Sequence, residues 1–146
     1  MSRIKVFLDT NVLASYFSGK PGARRLFDPD VTKRVEYIIS PVVLQELLLL
    51  SEELGINKSW EETQRLVSKY LTIKPLDEDS AMASAKKILQ LRNGIVHVND
   101  LLNIEVAATT ADYFLTQDKN LLSLRKIDSV EVISPEQFFN LLKQAA

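Results

Sequence analysis

The stretch that decides the fold is Ile4-Lys5-Val6-Phe7-Leu8-Asp9-Thr10-Asn11-Val12-Leu13. Its apolar run reads as a strand, and Asp9-Thr10-Asn11 ends that strand with a residue suited to cap the helix that follows. Further strand-like runs lie at Val35 to Ser40, Thr72 to Lys74, Tyr113 to Thr116 and Val130 to Ile133, separated by helical patterns. That alternation predicts an α/β fold, with a parallel sheet carrying helices on both faces.

The helices announce their own starts. Ser40-Pro41 places a capping residue and an N1 proline before Val42 to Ser51, and Ser134-Pro135-Glu136-Gln137 repeats the device with a capping-box glutamine. Ser59-Trp60-Glu61-Glu62 opens another helix, whose Leu66, Val67, Tyr70 and Leu71 fall at core-facing spacing. Asp77 to Leu91 reads as the next, stopped by Asn93-Gly94. Asn99 to Ala111 follows, with Ala107 and Ala108 small enough to let it lie close against the sheet. Gly19 to Asp30, with Gly19, Pro21, Gly22 and Pro29, reads as a loop holding at most a short helix.

Composition bounds the function. With 146 residues, 46% hydrophobic and 25% charged, residues 1–146 form one domain with one buried core. Cysteine is absent, which removes disulfides, thiolate metal sites and a cysteine nucleophile. His97 is the only histidine, so a histidine-rich zinc site is excluded and hydrolysis must lean on carboxylates. The opening Met1-Ser2-Arg3-Ile4-Lys5 offers no secretory h-region, and the longest apolar stretch, Pro41 to Leu50, is too short to span a bilayer and is broken by Gln45 and Glu46. A cytoplasmic location and no membrane partner are expected. At a net charge of −1, a nucleic-acid partner must be held by local patches or by metal ions.

Four acids stand at informative places: Asp9, Glu46, Asp100 and Asp118. Taken singly, three have ordinary explanations. Asp9 and Asp118 can cap the helices after them, and Asp100 lies in a first turn, where the helix dipole favours a negative side chain by about 0.3–1 kcal/mol. Glu46 is different, because Val42, Val43, Leu49 and Leu50 surround it one turn away. A carboxylate within an apolar stripe costs several kcal/mol unless something neutralises it. In an open parallel sheet the ligand crevice lies beyond the carboxyl ends of the strands, at the switch in strand order. All four acids can face that edge. Such oxygen donors suit Mg²⁺ or Mn²⁺, which bind phosphate oxygens, so the implied chemistry is phosphodiester hydrolysis.

These residues carry a resemblance. The chain resembles PIN-domain ribonucleases, and most of all the single-domain toxins of VapBC-type toxin–antitoxin pairs. The likeness runs through Asp9-Thr10-Asn11-Val12-Leu13, the helical Glu46 in Pro41-Val42-Val43-Leu44-Gln45-Glu46, Asp100 ahead of Ala107-Ala108, and Thr116-Gln117-Asp118 after the apolar Tyr113-Phe114-Leu115. It implies a compact three-layer α/β/α sandwich with a central, mostly parallel sheet of four or five strands, and metal-dependent endonuclease cleavage of RNA. On this likeness Asp9, Glu46, Asp100 and Asp118 hold Mg²⁺ or Mn²⁺, and Asn11 and Thr116 orient them. A small antitoxin that inhibits the enzyme and a homodimer are the implied partners. The chain departs from many active relatives at Asn120 and Leu121, where an acid and an aromatic are usual. Asn120 adds no charge, which implies a weaker second metal position.

RNA needs a basic bed, for which Arg24, Arg25 and Lys119 are best placed, followed by Lys33 and Arg34; Lys86, Lys87 and Lys143 serve solubility. Tyr16 and Trp60 can stack on bases, whereas Phe17 falls at core spacing. His97 reads as structural or adjacent to substrate, not as a ligand. Two rival classes remain. A non-catalytic RNA-binding or scaffold domain is compatible with Asn120. A phosphoacceptor domain, receiver or phosphatase, would also put Asp9 at a strand end, but it lacks the receiver's acidic pair and has Asn11 where the phosphatase needs a second Asp.

Overall fold

The computed structural model describes residues 2–53, 59–90 and 98–145. Val6, Phe7 and Leu8 are wholly buried, so β1 (Ile4–Leu8) is covered on both faces, as a central parallel strand must be. It pairs in parallel with β2 (Val35–Ile39) on one side and β4 (Tyr113–Leu115) on the other. Beyond β2 lies β3 (Leu71–Ile73), and beyond β4 lies β6 (Val130–Ile133), both parallel to their neighbours. The short β5 (Lys126–Ile127) closes the far edge antiparallel to β6. The order is β3-β2-β1-β4-β6-β5, with helices on both faces in three layers. The switch in strand order falls between β1 and β4. No helix among the described residues is long and apolar enough to cross a membrane.

The sixth strand goes beyond the sequence expectation. Two residues carry no readable alternation, and β5 exists because Lys126 and Ile127 find Glu131 and Val130 across a turn in which Asp128 adopts φ 54°.

Of the helices, α1 (Thr10–Phe17) ends at Gly19, which takes φ 78°, a value that glycine adopts without strain. The segment read as a loop holding at most a short helix forms two, α2 (Pro21–Arg25) and α3 (Pro29–Thr32), each opened by its proline at the first position. Leu26 and Phe27 anchor them. Leu26 is wholly buried, and the Phe27 ring meets Tyr16, Tyr37 and Tyr70 at 4.9, 5.0 and 5.8 Å. The prolines start turns here that burial then holds.

Then come α4 (Pro41–Glu53), α5 (Ser59–Lys69), α6 (Glu78–Gln90), α7 (Val98–Thr110), α8 (Lys119–Leu122) and α9 (Pro135–Gln144). Leu71 leaves the helical pattern assigned to it and pairs with Tyr37 as the first residue of β3, since a ladder position beside β2 buries it equally well. The stop at Asn93-Gly94 and the role of His97 lie outside the described residues. α7 packs on β1, β2 and β4 and gathers α4 and α6, whereas α2 packs on α1 and α9.

Candidate active site

Asp9 leaves β1 at the switch point, its backbone N–H donating to Leu115 O at 3.0 Å. It caps α1 in extended conformation, accepting from Thr10 N at 2.8 Å through Oδ1. The cap is therefore real, yet the residue is 6% exposed, far more buried than capping requires. Its Oδ2 accepts from Thr116 Oγ1 at 2.8 Å and from Asn11 Nδ2 at 3.3 Å. Asn11 also donates to Thr116 Oγ1 at 3.2 Å and accepts from Gln117 N at 3.1 Å through Oδ1. These bonds tie the end of β1 to the end of β4.

Two further acids act on Asp9. Burial pushes its pKa from 3.8 up to about 6; the bonds from Thr116 and Thr10 oppose the rise, and the charges of Asp100 and Glu46 add to it. Glu46 is half-buried and takes a bond from Thr10 Oγ1 at 3.3 Å. Its pKa is raised too, first by burial, with the Asp100 charge adding and Thr10 and Asn103 opposing. The apolar stripe expected around Glu46 is narrower than the sequence implied. Val43 and Leu47 form the buried seam of α4, one turn apart, while Leu49 is 63% exposed on another face. Glu46 thus emerges beside the seam, facing Asp9 and Asp100.

Asp100 stands half-buried in the first turn of α7. Asp118 caps α8, accepting from Asn120 N at 2.8 Å, and its own N–H donates to Thr116 Oγ1 at 3.1 Å. The structure thus couples Asp9, Glu46 and Asp100 through their charges and joins Asp118 to them through Thr116. Among the described residues, no three His, Cys, Asp or Glu side chains stand close enough to enclose an ion. Asn120 is exposed, and its backbone, not its amide, engages Asp118.

Sequence reasoning missed Asn103 and Thr10. Asn103 is wholly buried, one turn beyond Asp100, and accepts from Ser40 Oγ at 2.5 Å. Among the described residues its Nδ2 has no partner within hydrogen-bond geometry, yet the side chain favours the ionised form of Glu46. The signal was an amide inside the apolar run Leu101-Leu102-Asn103-Ile104. Of the basic candidates, Arg24 and Arg25 diverge. Arg24 lies over the Tyr16 ring at 4.2 Å and Arg25 over Phe139 at 4.5 Å. Lys119 is exposed beside Asp118, and Arg34 is committed to Leu142 O at 3.1 Å.

The donors are oxygens with spare lone pairs at an edge half open to water, and the charges of Asp9, Glu46 and Asp100 act on one another there. That set fits a hard divalent cation that keeps several of its waters. It does not need the closed cage of a dehydrated ion.

Several solved structures share this architecture. VapBC2 from Rickettsia felis, bound to a DNA fragment from its promoter, aligns at TM-score 0.70 and 18% identity, over 90% of this chain and 98% of that one. DNA-bound VapBC from Salmonella typhimurium gives 0.69 and 21%, over 90% and 98%. VapC20 from Mycobacterium tuberculosis, a toxin that cleaves the sarcin–ricin loop, gives 0.65 and 16%, over 84% and 97%. No curated protein matches at a significant level. At these identities the likeness speaks for the fold, but the sequence model of the PIN domain itself matches residues 6–127, from the middle of β1 to β5, and on that match the chain belongs to the PIN-domain family.

Proposed function

We propose that this chain is a divalent-metal-dependent endoribonuclease, acting as the toxin of a toxin–antitoxin pair. The observation that carries the reading is the buried Asp9 at the sheet's switch point, bonded to Thr116 and Asn11, with Glu46 bonded to the adjoining Thr10 and the Asp100 charge acting on both acids, a convergence that capping alone does not require. Asp9, Glu46, Asp100 and Asp118 would hold Mg²⁺ or Mn²⁺. When bound, the ion supplies Lewis-acid activation of water and of the scissile phosphate. Thr116 and Asn11 hold the Asp9 carboxylate in one orientation, and Thr10 steadies Glu46. Asn120 adds no charge beside Asp118, which leaves a second cation dependent on substrate phosphate. The VapBC complexes among the structural neighbours favour a small antitoxin as partner; a homodimer and a cytoplasmic setting belong to the same proposal.

Asp9→Asn removes the most buried of the four charges. RNA cleavage in Mn²⁺ should fall to background while far-UV circular dichroism stays unchanged. Cleavage at the parental rate would remove the carboxylate site from the chemistry. The scaffold reading is favoured by one feature, the neutral Asn120, and predicts no Mn²⁺ binding by the parent protein.

A further inference from the structure

A crevice of about 730 Å³ opens between the start of α2, the segment around Asp118 and the start of α9, within the size range of small-ligand sites. Lys20, Arg25 and Lys119 line it with Leu122, Phe139 and Glu136. Three cations thus face one anion across an apolar wall, in a protein whose net charge is −1. The asymmetry is local and selects an anionic occupant.

The wall has a second property. Arg25 already stacks on Phe139, guanidinium carbon to ring centre at 4.5 Å, so a planar cation and an aromatic ring stand together. These are the surfaces on which unpaired bases stack. Gln117 and Lys119, the neighbours of Asp118 on either side, are both part of the lining. The crevice therefore reaches the residues that flank Asp118.

We propose that this crevice receives one nucleotide of a single-stranded RNA, its base against Phe139 and Arg25 and its flanking phosphates beside Lys20 and Lys119. The choice of RNA rests on the nuclease reading above. A paired base keeps both faces covered by its neighbours, so a duplex cannot use the stacking wall. An acidic peptide could meet the lysines but draws no comparable benefit from a flat ring.

The test is binding of a short labelled single-stranded RNA to the full chain by fluorescence anisotropy, in EDTA so that nothing is cut. Phe139→Leu keeps an apolar side chain at this half-buried position and should weaken binding by about tenfold, with no change in salt dependence; Phe139→Trp should restore it. Lys20→Ala and Lys119→Ala should each lower the slope of log affinity against log salt by about 0.7. Melting curves establish that each variant is folded. Unchanged affinity in Phe139→Leu, equal binding of the matching duplex, or displacement of RNA by polyglutamate at comparable concentration would overturn the assignment. Cleavage in Mn²⁺ is scored separately. If the parent cuts RNA while the variants bind as it does, the crevice fails and the nuclease stands; if RNA binds through the crevice but is never cut, the reverse holds.

Discussion

Thr116 Oγ1 uses its whole hydrogen-bonding capacity. It donates to Asp9 Oδ2 and accepts from Asn11 Nδ2 and from Asp118 N, which exhausts one proton and two lone pairs. The residue is wholly buried, so no water can substitute. Thr116→Val keeps the shape and removes every one of these bonds. It should cost about 1–3 kcal/mol of stability and impair cleavage, whereas Thr116→Ser, which keeps the hydroxyl, should come close to the parent in both. Urea unfolding of the two variants checks this, and equal stability of Val and Ser would remove Thr116 as the site's organiser. The places of the four acids were readable in the sequence because each sits at a strand end or in the first two turns of a helix, positions that local pattern reveals. Asn103 and the bond from Thr10 to Glu46 were not readable. They arise from α1, α4 and α7 meeting in space, which no local period encodes.

At the level of elements, the helix starts were the most legible feature. The capping box of α9 is present in full, with Gln137 N donating to Ser134 Oγ at 3.1 Å and Ser134 N donating to Gln137 Oε1 at 2.9 Å. Ser40 likewise receives Val43 N at 3.1 Å, but its hydroxyl also donates to the buried Asn103. The two caps look equivalent in sequence and differ in what they hold. Ser134→Ala should cost about 1 kcal/mol, as an ordinary cap does. Ser40→Ala should cost more, about 2–3 kcal/mol, because it also leaves the Asn103 carbonyl oxygen buried without its donor. Thermal melts of the two variants compare them directly; equal losses would mean that Asn103 finds another partner. The elements that sequence left unassigned, α3 and β5, have four and two residues. Elements this short have too little periodicity to declare themselves, and their form is imposed by Leu26, Phe27 and the β6 ladder.

For the molecule as a whole, a cluster of carboxylates at the switch point makes stability depend on pH and on cations together. Asp9 has a folded pKa of about 6 against an ordinary 3.8, so the folded state binds the proton more tightly than the unfolded chain. Its contribution is therefore fully present below about pH 4 and is lost as pH rises through 6, a change of about 3 kcal/mol. Asp77, whose pKa is lowered by its bonds from Ser80, titrates below 3.8 and leaves this window to the site. Against a typical domain stability of about 5–15 kcal/mol, the metal-free protein should melt at a lower temperature at pH 7.5 than at pH 5. A cation reverses the sign, because ionised carboxylates are what it binds. Mn²⁺ at about a hundredfold over its Kd should return about 2.7 kcal/mol, or about 5–10 °C for a domain of this size, nearly offsetting the loss. The increment should be full at pH 7.5 and fade below pH 6, where protons compete for Asp9. Glu46→Gln should raise the metal-free melting temperature at pH 7.5, since it relieves repulsion, and should abolish most of the Mn²⁺ increment. Scanning fluorimetry across pH with and without Mn²⁺ reads all of these shifts. A Glu46→Gln protein that melts lower than the parent without metal, or that gains as much from Mn²⁺, would show that the carboxylates are held for structure and not for a cation.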